Sequence, residues 1–183
     1  MEHVAPRRLE TVMGRSVRLP DPDRLVHLQF RRFAGCPVCN LHLRSFVTRQ
    51  REVEAAGVHE VVLFHTGTAD LRPHVADLPF DVVADPEKTL YREFGVEAAP
   101  RSLLHPKAWP AIVRAIAVAL PDVVRKRKPA PPAKPEGGRF GLPADFLIAP
   151  DGRVLASKHG THVYDQWSVD ELLALVPVKE NRP

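Results

Sequence analysis

Cysteine is almost missing from this chain: only Cys36 and Cys39 occur, too few for a disulfide framework of the kind that staples small secreted folds. Long apolar runs are missing too. The most hydrophobic stretch, Ala111 to Leu120, contains Arg114 and stops at Pro121. Ten helical residues reach about 15 Å, half of a bilayer core, so no membrane span and no membrane contact is expected. Residues Met1 to Arg18 carry charges throughout and lack the apolar segment of a secretory signal, which makes a cytoplasmic protein the expectation. No nucleotide-binding or haem motif occurs, and no bound cofactor is expected. Basic character is confined to one place. Residues 122–139 hold Arg125, Lys126, Arg127, Lys128, Lys134 and Arg139 against Asp122 and Glu136, which accounts for the whole net charge of +4. The remainder is neutral on balance, which argues against a nucleic-acid partner.

What is present fits one domain. A length of 183 residues allows a sizeable core over residues 1–183, perturbed by one insertion. Thr11–Leu19 reads as a short edge strand or hairpin. Arg24–Phe30 alternates as a strand, and Pro37–Ala56 follows as a helix with Cys39, Leu43, Phe46, Val47 and Val53 on one face. Val58–His65 and Phe80–Ala84 are further strands, separated by a weaker helix over Thr68–Leu78 that contains Pro73. Asp85–Pro86–Glu87 has the composition of a helix start, and Gly95 of a stop. Residues 98–141 break this rhythm. Pro106, Pro110 and Pro121 bracket an apolar helix, Ala111–Leu120, and a basic proline-rich linker follows. The segment is too short to own a core and reads as an insertion. Ala144–Ala149, the Asp151–Gly152 turn and Arg153–Lys158 form a hairpin, and Ser168–Glu171 fits a capping box before a last helix. The order predicts an α/β fold whose central sheet is flanked by helices and closes with a β-hairpin and a helix.

The two cysteines stand where the first of these strands meets the first helix. Cys36–Pro37–Val38–Cys39 is a C-x-x-C pair at a helix start in a βαβ context, which is a redox signal. Pro37 suits the first helical turn, where a missing N–H costs nothing. Cys36 then falls at the N-terminus, where unpaired N–H groups and the positive dipole end favour a thiolate. Cys39, one turn on, is placed to close a disulfide. The competing readings are a buried pair of small apolar residues and a soft-metal site. Cys36, Cys39 and His42 recur every three residues, but a second ligand pair is lacking, and no metal is assigned.

Three stretches together resemble one family. They are Phe30–Cys39, Val83–Val96 (Val-Ala-Asp-Pro-Glu-Lys-Thr-Leu-Tyr-Arg-Glu-Phe-Gly-Val) and Gly141–Val154 (Gly-Leu-Pro-Ala-Asp-Phe-Leu-Ile-Ala-Pro-Asp-Gly-Arg-Val). In this order they resemble the thioredoxin-like superfamily and, more narrowly, the peroxiredoxin-like branch of the AhpC/TSA group, over residues 22–97 and 140–176. The resemblance implies a thioredoxin-like fold, Cys36 as nucleophile, Cys39 as resolving thiol, and Pro143 as a cis-proline packed against the dithiol. It also implies reduction of a small peroxide, or of a disulfide, at the expense of an external thiol reductant of thioredoxin or glutathione type. Two positions depart from the pattern. Gln29 and Phe33 replace the Pro and Thr/Ser of the peroxiredoxin motif Pro-x-x-x-Thr/Ser-x-x-Cys, and Phe30 replaces the buried Asp of thioredoxins.

Arg31, Arg32 and His65 are the supporting candidates. Strand alternation lets at most one arginine face the dithiol, where it would lower a thiol pKa or hold an anion; the alternative is a solvated charge at a strand end. His65 ends a strand at the edge where parallel sheets bind ligands, as a proton donor or, the preferred reading, as a surface or capping histidine. His159 and His162 read as surface histidines, Asp151 as a turn residue, Asp145 as a residue near Pro143 that lines the site or only its surroundings, and Trp109 and Trp167 as packing residues. The Ala111–Leu120 helix is a lid over the dithiol or a homodimer contact.

Overall fold

The structure is a computed structural model and describes residues 1–96, 105–125, 138 and 140–177. Its centre is a five-stranded sheet in the order β5-β4-β3-β6-β7, formed by β3 (Leu25–Phe30), β4 (Val58–Phe64), β5 (Asp81–Ala84), β6 (Ala144–Ile148) and β7 (Val154–His159). β3, β4 and β5 run parallel, while β6 is antiparallel to both β3 and β7. Two parallel crossovers followed by an antiparallel hairpin give a mixed α/β sheet of thioredoxin-like type. The N-terminal β1 (Arg7–Glu10) and β2 (Ser16–Leu19) form a separate hairpin. Val12 N–H then donates to the carbonyl of Val82 at 2.8 Å, which ties that hairpin to the β5 edge.

Each face of the sheet has its own core. On one face α1 (Pro37–Thr48), α2 (Gln50–Ala55), α3 (Thr68–Val75) and the last helix, α6 (Val169–Leu175), place Leu43, Phe46, Val53, Leu71 and Leu172 against Val62, Phe64 and Leu147. On the other, α4 (Thr89–Glu93) and the N-terminal hairpin place Leu90, Tyr91, Phe94 and Leu19 against Val26, Leu28, Phe30 and Phe146. Burial of each large apolar side chain is worth about 1.5–3 kcal/mol. α5 (Trp109–Val124), preceded by a short 3-10 turn over Pro106–Ala108, lies along α1. Its inner side contributes Ala115 to the first core, whereas Trp109, Val113, Ile116 and Leu120 are exposed. Among the described residues no helix is long and apolar enough to cross a membrane.

Several expectations shift. The single helix expected over Pro37–Ala56 breaks at Arg49 (φ −111°, ψ 19°), whose guanidinium is held by Glu52 and by Asp170 of α6, each at 2.6 Å. The break turns α2 toward β4 and returns Val53 to the core, while Val47 of the predicted inner face is 37% exposed. α4 begins at Thr89 rather than at Pro86, because a turn through left-handed Lys88 (φ 54°) intervenes. Asp85 still caps it, its carboxylate accepting the N–H groups of Thr89, Leu90 and Tyr91. α5 runs through Pro121 to Val124, and Trp109 is 56% exposed at its start instead of packed. Of the linker expected over 125–138, residues 126–137 lie outside the described residues.

Candidate functional site

Every group at the dithiol is placed by the end of β3 and the turn that follows. Arg31 N–H donates to Leu63 O at 2.8 Å and His65 N–H to Arg32 O at 3.1 Å, so the parallel pairing of β3 with β4 continues past Phe30. The chain then turns: Ala34 N–H donates to Thr66 Oγ1 at 3.0 Å and Cys36 N–H to Phe33 O at 3.2 Å. Gly35 adopts φ 72°, a left-handed conformation that favours glycine. Cys36 is the N-cap of α1 and Pro37 its first residue, as the spacing predicts. Cys36 Sγ accepts the Cys39 N–H at 3.4 Å and the Arg32 Nη2–H at 2.9 Å. Both cysteines are free thiols, with exposures of 0% for Cys36 and 3% for Cys39.

Of the two arginines, Arg32 meets the sulfur. Its guanidinium also lies over the Phe33 ring, 5.4 Å from the centroid. Burial raises both thiols, and the hydrogen bond between them splits the pair. Cys36 is pushed up by burial and by its Cys39 neighbour, against the pull of Arg32. Cys39 is raised by burial but brought down to about 6 by the Cys36 S–H and the Arg32 charge. The low pKa expected at Cys36 falls on Cys39 instead: one proton leaves the dithiol early, and the one that stays is held on Cys36. Removing the guanidinium takes away the cation that holds the shared negative charge. Arg32→Met is expected to raise the first thiol pKa by about one unit or more, read from thiolate ultraviolet absorbance against pH in wild type and variant.

A family described as the AhpC/TSA antioxidant enzyme matches residues 45–162, a span that begins beyond the cysteine pair. The chain belongs to the AhpC/TSA family. No curated protein matches it. Among solved structures it is similar to peroxidoxin BcpB from Mycobacterium tuberculosis, at 16% identity over 96% of this chain and 94% of that one, with a TM-score of 0.64. It is also similar to peroxiredoxin Q of Xanthomonas campestris, at 16% identity over 93% and 89% with a TM-score of 0.61. A putative thiol:disulfide interchange protein, DsbE from Chlorobium tepidum, is similar at 19% identity over 96% of both chains, with a TM-score of 0.58. These likenesses establish a thioredoxin-like fold.

Within this AhpC/TSA chain the remaining candidates fall in different places. His65 is not a surface residue: it is 1% exposed, its ring edge-on to Tyr91 with centroids 5.7 Å apart. A side chain at Gly141 would meet both His65 Nε2 and Arg32 Cγ at 3.3 Å, so the approach to β6 passes directly over these two residues. The cis-proline expected at Pro143 is not found. Leu19–Pro20 is the one cis peptide bond among the described residues, and Leu142–Pro143 is trans, the form X-Pro bonds favour by about 0.5–1 kcal/mol. Pro143 O accepts the Gly160 N–H at 2.8 Å, and its ring packs where a Gly160 side chain would stand. His159 is exposed, whereas His162 is half-buried and stacks on His105 with centroids 5.0 Å apart. Among the described residues no group of three or more His, Cys, Asp or Glu is arranged to hold a metal ion.

Beneath the dithiol lies a polar layer of which the sequence marks Arg31, His42 and Asp145 singly but not their association with His27, Gln29 and Glu60. His27 and Gln29 on β3, Arg31 beyond it, Glu60 on β4, Asp145 on β6 and His42 on α1 are all buried. Asp145 Oδ1 pairs with Arg31 Nη2 at 2.7 Å and with His27 Nε2 at 3.3 Å, and its Oδ2 accepts the Trp167 N–H at 3.1 Å. His27 Nδ1 meets Glu60 Oε2 at 2.9 Å, and Gln29 bridges Glu60 to Arg31. Arg31 Nη2 also donates to His42 Nε2 at 3.1 Å, which makes that nitrogen an acceptor. Burial and the Arg31 charge accordingly push His42 well below the usual imidazole range.

Proposed function

We propose that this AhpC/TSA chain is a thiol-dependent oxidoreductase that reduces a peroxide through Cys36 and Cys39. A thiolate on Cys36 attacks the O–O bond, giving a sulfenic acid on Cys36 and, after protonation of the leaving oxygen, an alcohol or water. Cys39 then displaces water from that sulfenic acid and forms the Cys36–Cys39 disulfide. An external dithiol or two glutathione-type thiols supply the two electrons and two protons that restore the pair. The observation that carries this reading is Cys36 Sγ at an N-cap with Arg32 at 2.9 Å and the Cys39 N–H at 3.4 Å. Arg32 lies beside the reacting sulfur, and His65, set under Gly141 with it, supports the site from the adjoining strand. We take residues 1–183 as one domain with 98–141 as an insertion, α5 serving as a lid. A small hollow of about 50 Å³ between α1 and α5, bordered by Gly35 and Pro37 on either side of Cys36, is the route of approach we assign.

A specific observation favours a second reading, thiol-disulfide reduction without peroxidase activity: Phe33 stands where a peroxide-orienting hydroxyl is otherwise supplied. Stopped-flow tryptophan fluorescence separates the two. A Cys36-dependent phase at micromolar hydroperoxide is the expected result. A phase seen only with a small disulfide transfers the activity to the second reading, and no phase with either substrate removes both.

A further inference from the structure

The chemistry proposed above makes no use of the polar layer. β3 alternates: Val26, Leu28 and Phe30 face the α4 core, while His27, Gln29 and Arg31 line the opposite face beneath α1. Such a polar face normally meets water. Here the register sets His27 opposite Glu60 of β4 and Gln29 opposite Asp145 of β6, so three neighbouring strands contribute one buried ladder. Two carboxylates, Glu60 and Asp145, alternate with two cations, His27 and Arg31. α1 covers the ladder with Phe46, whose ring centroid is 5.4 Å from that of His27, and with His42, three residues beyond Cys39; Trp167 closes it from the C-terminal side, 5.7 Å from His27. Arg31 ends the ladder, and its neighbour Arg32 holds the sulfur. One strand end therefore connects the two charge systems.

We propose that His27 and Arg31, held between Glu60 and Asp145, are positioning residues that fix the electric field under the first turns of α1 and so set the potential at which the Cys36–Cys39 pair closes. The inference rests on the dithiol reading. Closure gives up two protons and two electrons; with glutathione disulfide as oxidant, the products are the protein disulfide and two glutathione thiols. A cation excess in the ladder favours the thiolate and hence the reduced pair, and an anion excess favours the disulfide. Burial alone would strip His27 of its proton, but Glu60 and Asp145 on either side outweigh it and raise its pKa to about 9, so the ladder is balanced at neutral pH.

The test is equilibration of the full chain with mixtures of reduced and oxidised glutathione, with the disulfide fraction read by mass after acid quenching and alkylation. Asp145→Asn and Glu60→Gln each remove an anion and are expected to shift the equilibrium about three- to tenfold toward the dithiol. His27→Gln removes a cation and is expected to shift it the opposite way. An order of midpoints that follows charge supports the inference, because loss of structure alone would not sort the variants by sign. If Asp145→Asn fails to fold, Glu60→Gln and His27→Gln give the same comparison. Midpoints that do not move, or that all move one way, overturn the ladder's role while the reversible wild-type disulfide keeps the dithiol reading standing. A wild-type chain that forms no reversible disulfide overturns both.

Discussion

Cys36→Ser abolishes peroxide consumption, whereas Cys39→Ser consumes about one equivalent and stalls: this is the expected outcome of the pair of single substitutions. The asymmetry follows from what each sulfur touches. Both sulfurs share the Arg32 guanidinium, but Cys36 Sγ, at the N-cap, also receives the Cys39 N–H, a donor that stabilises charge on the attacking atom. Cys39 lies inside the first turn of α1, where its sulfur can close on Cys36. Without Cys39 the sulfenic acid on Cys36 forms but has no internal thiol to displace water. Peroxide consumption and the protein mass after one turnover measure both variants. The reverse pattern, with Cys39→Ser inert and Cys36→Ser taking one equivalent, would assign the attack to Cys39.

Asp145→Ala is expected to destabilise the fold by about 3–5 kcal/mol, because breaking a buried ion pair leaves the remaining charge uncompensated. Arg31 is 0% exposed and loses its carboxylate, and the Trp167 N–H loses its acceptor. Asp77→Ala, at an exposed position, is the control and should stay within about 0.5 kcal/mol. Urea unfolding reads both. The same cluster sets the pH limits of stability. The folded pKa of His27, about 9, lies above its unfolded value near 6.5, so its contribution is complete below the lower value and fades as pH rises through the upper, by on the order of 3 kcal/mol in all. Burial would raise Asp145, but Arg31 and His27 hold it below the usual carboxylate range. That contribution is present above the unfolded carboxylate pKa and is lost only as strong acid protonates the folded state. His27→Gln should flatten the alkaline arm and also shrink the acid arm, because His27 is one of the two cations that hold Asp145 down.

Local chemistry made much of this fold legible in the sequence. Ser168 and Glu171 exchange both hydrogen bonds of a capping box. Asp151–Gly152 turns the last hairpin, with Gly152 at φ 93°, packed so closely on His3 and Val4 that no side chain fits. Pro37 after Cys36 marks the start of α1 because both residues are matched to a helix N-terminus. What stayed hidden depends on neighbours distant in the chain. His65 looks like a strand-end histidine until Gly141 and Tyr91 close over it. The alternation of His27, Gln29 and Arg31 is visible, but it reads as a wet face; only the pairing with Glu60 and Asp145 shows that it is buried. Charged residues inside two neighbouring strands were the available signal. The bond before Pro143 also depends on tertiary setting, and the family pattern did not carry over to it.

The seclusion of both sulfurs has a kinetic consequence. With Cys36 at 0% and Cys39 at 3% exposure, a bulky maleimide reaches them only when the 33–37 turn or the covering helix lifts, so labelling rates count those excursions and not intrinsic nucleophilicity. Between excursions the pair is screened from the adventitious oxidants that drive thiols to irreversible sulfinic and sulfonic acids.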